Sequence, residues 1–171
     1  MMHTPRSGRR WIRSAIVVGA ALFILALFVS AVFEPSIRIL HALQALIYVA
    51  VVILTRRNSP LGYGAGVVVS AFWNYVNLFV TTFIRNGFDQ LIGLLQTGRI
   101  ARPDQFLAIV AATGHFVLIV ACLIGFLETR PKPGAWTKFI GGGLLAIAYL
   151  VGIIFITGPQ YIPLLRRTFG F

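Results

Sequence analysis

The run SAIVVGAALFILALFVSAVF, residues 14–33, contains no charged side chain, and coiled as a helix it matches the thickness of a bilayer's hydrocarbon core. Four more runs are of comparable length and hydrophobicity, at about 37–54, 61–84, 106–127 and 139–157, with Arg38 their one charged residue. Runs of this length with so little charge have no polar face to turn toward water. They predict an all-α integral membrane protein, a bundle of about five transmembrane helices forming one domain over 1–171. Composition agrees: 58% of residues are hydrophobic and 11% charged, where soluble domains carry about 45–50% and about 25%.

Proline and charge punctuate the runs, at Glu34-Pro35, TRRNSP (55–60), Arg102-Pro103-Asp104 and ETRPKPG (128–134). Such stops end helices and hold turns at the water interface. Residues 1–13 form a basic tail, with His3 solvated on it. The first run resembles a signal peptide with Val29-Ser30-Ala31 as its cleavage site, but it exceeds the usual apolar stretch of about 7–15 residues. A retained helix is therefore expected.

The formal charge of +11 falls in the flanks. Arg6, Arg9, Arg10, Arg13, Arg56, Arg57, Arg130, Lys132 and Lys138 share one side; Arg38, Arg85, Arg99, Arg102, Arg166 and Arg167 share the other. The richer side predicts a cytoplasmic N-terminus in a multi-pass protein of the plasma (bacterial inner) membrane. Basic flanks of this kind point to membrane lipids rather than nucleic acid. The connector 85–105 gathers Phe88, Leu91, Ile92 and Leu95 on one side, which predicts an interfacial amphipathic helix on the outer surface. The tail 158–171, with Tyr161, Arg166 and Arg167, is expected at the interface as well.

Polar residues inside the apolar runs are the candidate site, because an unpaired amide in hydrocarbon costs several kcal/mol. At 100° per residue, Tyr63, Gly66, Ser70, Asn74, Asn77 and Thr81 share one face of the third run. His41, Gln44 and Tyr48 line a face of the second, and the fourth carries His115. A rise of about 1.5 Å per residue puts His41, Gln44, Asn74, Asn77 and His115 in one layer of the outer half. These five are the expected ligand-binding residues, with Tyr48, Tyr63, Ser70 and Thr81 as a secondary stripe. Neutral groups suit a ligand that must be released again. Hydrogen bonding between helices would explain the same residues without a ligand.

Other chemistry is poorly served. The acids Glu34, Asp89, Asp104 and Glu128 lie at the ends of runs, with Glu34 expected to pair locally with Arg38 and Glu128 with Arg130. No catalytic role is expected. The single cysteine, Cys122, excludes an internal disulfide and suits a small buried hydrophobe. His41 and His115 form the minimum pair for a bis-histidine haem b, a minor alternative; no metal or other cofactor is expected. Small residues predict close helix packing at Gly19 and Ala26, at Gly142 and Ala146, and at Ala148-xxx-Gly152. The leading functional expectation is binding or translocation of a small polar or lipid-headgroup ligand in an outer polar pocket. Its rival is a non-catalytic accessory or scaffold subunit, docking partner subunits or a second copy through those glycine faces.

Overall fold

The computed structural model describes residues 6–129 and 132–170; His3 and Arg130 lie outside the described residues. Among the described residues seven α-helices follow one another: α1 Arg6–Phe33, α2 Arg38–Arg56, α3 Pro60–Tyr75, α4 Phe83–Thr97, α5 Pro103–Thr129, α6 Ala135–Thr157 and α7 Ile162–Phe169. Short 3-10 turns precede α2 and α7, a π-helical turn Val76–Val80 follows α3, and no strand occurs among the described residues. Five helices are long and apolar enough to cross a membrane: α1, α2 with its 3-10 turn, α3 with its π-helical continuation, α5 and α6.

The helices outrun the apolar stretches that signal them. α1 starts at Arg6 and α6 at Ala135, where arginine and alanine favour helix even though the sequence has turned polar. One helix over 61–84 was the expectation, and the structure corrects it. The α-helix ends at Tyr75, widens into a π-helical turn closed by Thr81 N–H donating to the Val76 carbonyl at 2.8 Å, and breaks at Thr81, whose backbone is extended. Two adjacent β-branched threonines, stiff at χ1, favour such a break. α4 therefore begins within the predicted third span. It packs on α5 through Ile84 and Gly87, and leaves Phe88, Ile92 and Leu95 exposed.

The local Glu34–Arg38 pair is replaced by two other bonds. Arg38 Nε donates to the Ala31 carbonyl at 3.0 Å, and Ser36 Oγ donates to Glu34 Oε1 at 2.6 Å. Capping the last carbonyls of α1 directs the arginine back along that helix.

Glycine sets the helix contacts. A Cβ on Gly19 would meet the Gly114 carbonyl at 2.7 Å, and one on Gly114 the Gly19 carbonyl at 2.8 Å, so α1 and α5 touch backbone to backbone. α3 and α6 do the same, Gly64 against the Phe139 carbonyl and Gly142 against the Leu61 carbonyl. Ala26 and Ala146 are buried beside these crossings. Gly152 differs: a Cβ there would meet nothing within 4 Å, so its face takes no part in packing among the described residues. Phe23, Val51, Val69, Leu118 and Phe126 fill the core, while Leu25, Val32, Leu46, Phe116, Leu144 and Ile156 point outward, apolar and exposed.

Candidate functional site

The five expected ligand residues divide into two groups. His115 is fully buried at the middle of α5, where Gly114 lets α1 approach and brings Phe23 against its ring, the centroids 4.1 Å apart. Trp73 meets the ring edge-on at 4.8 Å, and Tyr48 stacks at 5.5 Å. Inside this cage both ring nitrogens are taken. Asn74 Oδ1, an acceptor, lies 3.2 Å from Nδ1, so Nδ1 carries the proton; Nε2 then accepts from the Tyr48 hydroxyl at 2.7 Å. Three helices are tied through one imidazole. A bis-histidine haem needs an unoccupied nitrogen on each histidine, and His115 offers none.

His41, Gln44 and Asn77 belong to the second group, which lines a cavity of about 280 Å³ bounded by α1, α2, the end of α3, α5 and α6. Its lining is mainly apolar, with Leu27, Leu40, Phe72, Leu107 and Leu150 among the contributors. Asn74 and His115 do not line it; Phe23 and Trp73, two walls of the histidine cage, stand between. The polar layer expected from depth along the helices is thus partly closed packing and partly cavity wall.

Each polar group on that wall has a definite state. His41 Nδ1–H donates to the Leu27 carbonyl at 2.9 Å, which fixes the tautomer and leaves Nε2 as the free ring nitrogen. Asn77 Nδ2 donates to the Trp73 carbonyl at 3.0 Å, where the helix widens, and Asn77 Oδ1 accepts from Thr81 Oγ1 at 3.3 Å. Gln44 Oε1 is buried with no hydrogen-bond partner among the described residues. Ser70 Oγ and Asn74 Nδ2, one helical turn apart, are unpartnered in the same way. Tyr63 of the secondary stripe is spent on structure, its Oη donating to the Thr55 carbonyl at 3.5 Å, and Gly66 on the same face gives room to Cys122 Sγ.

A second cavity, of about 380 Å³, adjoins the first at Ser30, Ile37 and Phe83, which line both. Glu34, Arg102, Asp104 and Gln105 surround it at the end of the bundle where α1 ends and α5 begins. Arg102 forks onto Asp104, Nε to Oδ1 at 3.0 Å and Nη2 to Oδ2 at 2.7 Å. This hydrogen bonding, and after it the carboxylate's charge, raises the pKa of the Arg102 guanidinium. Sequence reasoning overlooked Phe23 and Trp73 as site residues, and it overlooked the mouth. The signal for Trp73 was its place beside Asn74; for the mouth, that two of only four acids flank Pro35 and Pro103. No family model, curated protein or solved structure matches the chain.

Proposed function

We propose that the chain is a multi-pass membrane protein, its N-terminus cytoplasmic, that binds or helps translocate a lipid-like amphiphile in the cavity between α1, α2, α3, α5 and α6. The observation that carries this is Gln44, which lines an otherwise mainly apolar cavity and has a buried side-chain oxygen without a partner among the described residues. An unsatisfied buried acceptor costs about 1–3 kcal/mol, and rotation of the Gln44 amide toward a ligand hydroxyl or amine would relieve it. The apolar lining favours a ligand with a hydrocarbon portion over a small polar solute. His41 Nε2 supplies a second hydrogen-bonding group on the same wall. A binding role rather than catalysis fits neutral groups of this kind.

Trp73 makes the reading testable, because it lines the cavity while Trp11 and Trp136 are exposed. With Trp11→Phe and Trp136→Phe in place, the purified full chain has Trp73 as its sole indole. Brominated long-chain alcohols should quench its fluorescence saturably, and Gln44→Leu should weaken that quenching several-fold. Quenching that only grows in proportion to the alcohol added would sink the proposal.

One observation favours the subunit reading. Gly141, Ala148 and Gly152 share an α6 face, and a Cβ on either glycine would meet nothing within 4 Å. Under that reading the protein extracted in mild detergent would migrate as a larger complex, which Gly152→Leu would break up.

A further inference from the structure

The two cavities meet at Ser30, Ile37 and Phe83, so an occupant of the inner one has a continuation toward the charged end of the bundle. Among the described residues, the inner lining carries no charged side chain. The outer one carries three, and their pairing decides which headgroup it can hold. Arg102 is committed to Asp104 through two parallel N–H bonds, the geometry in which guanidinium and carboxylate satisfy each other best. Glu34 has one oxygen occupied by the Ser36 hydroxyl and forms no ion pair among the described residues. The mouth is therefore net negative by one charge, in a chain whose formal charge is +11.

Resting on the amphiphile reading above, we propose that the mouth selects the headgroup: the ligand is an amphiphile bearing an ammonium group, its chain in the apolar cavity and its head against Glu34. An anionic head would find the one lining cation already paired and would face an uncompensated carboxylate. A neutral head would gain hydrogen bonds but no charge pairing. An ammonium donates N–H to the free Glu34 oxygen and leaves the Arg102–Asp104 pair undisturbed.

Three amphiphiles with one brominated alkyl chain, ending in a primary amine, an alcohol or a phosphate monoester, test this against the Trp73 reporter. Quenching should reach half its maximum at the lowest concentration for the amine and the highest for the phosphate. Glu34→Gln, an exposed substitution, should raise the half-maximal amine concentration about two- to fivefold, the range of an exposed ion pair, and move the alcohol less. Phosphate binding as well as the amine, or an amine-to-alcohol ratio unmoved by Glu34→Gln, would overturn the headgroup assignment while leaving the cavity reading intact. Displacement by chainless ethanolamine at equal concentration would show a site for the free amine rather than an amphiphile. Quenching by none of the three would overturn the cavity reading and this one together.

Discussion

Asn74 and Asn77, three positions apart on one helix face, solve different problems. Asn74 orients an imidazole whose Nδ1 would otherwise be buried without a partner, and Asn77 covers a carbonyl where the helix changes pitch. The bond from Tyr48 to His115 should be the most costly of these to lose, since it is short and completely buried and its loss strands a buried ring nitrogen. Tyr48→Phe should destabilise the protein by about 1–2 kcal/mol. In a His115→Leu background the same substitution should cost close to nothing, a coupling that a double-mutant cycle of reversible unfolding in mixed micelles would measure. Ser70 should behave oppositely. Its hydroxyl is buried and unpartnered, so Ser70→Ala should be neutral or slightly stabilising in the same assay, and a loss above about 1 kcal/mol would mean the hydroxyl has a partner.

At the scale of elements, glycine is the control point. Gly142→Ala would press a methyl group into the Leu61 carbonyl, and because both atoms belong to helix backbones neither can rotate away. It should lower the unfolding midpoint clearly, by about 1–3 kcal/mol of overpacking. Gly152→Ala, ten positions further along the same helix, meets open space and should be neutral or slightly stabilising through helix propensity. Small-xxx-small spacing announced both positions equally. Spacing records which residues share a face but not which face meets a neighbour, so the sequence could not tell them apart.

The same limit explains what else was legible. Apolar runs reveal helices long enough to span because length and uninterrupted hydrophobicity are one-dimensional properties. They gave five such helices, and the periodicity of 85–105 gave an amphipathic α4. Depth could also be counted along each run, which placed His115 and Asn74 at one level. What counting cannot supply is rotation between helices, and so Tyr48 was ranked as secondary although it completes the histidine's bonding. The π-helical turn was invisible too: VNLFV has the composition of any buried helix, and its widening is settled by Asn77 and Thr81 acting together.

For the whole molecule, the proposed orientation makes a direct prediction. Cys122 is fully buried and should stay silent toward thiol reagents, so single added cysteines report cleanly. In intact cells a membrane-impermeant maleimide should label Leu95→Cys, which is 78% exposed on α4, and should label Arg57→Cys only after permeabilisation. The reverse pattern would invert the orientation and put the charged mouth on the cytoplasmic side.

The backbone contact between Gly19 and Gly114 also orders events in time. α1 emerges well before α5 during synthesis, yet α5 is the neighbour it packs against most extensively, and α3 likewise depends on α6. Early helices must therefore wait for late ones, and the cavity has no complete wall until most of the chain has been made. A ribosome stalled before α5 would leave α1 without its main partner, a ready substrate for membrane quality control.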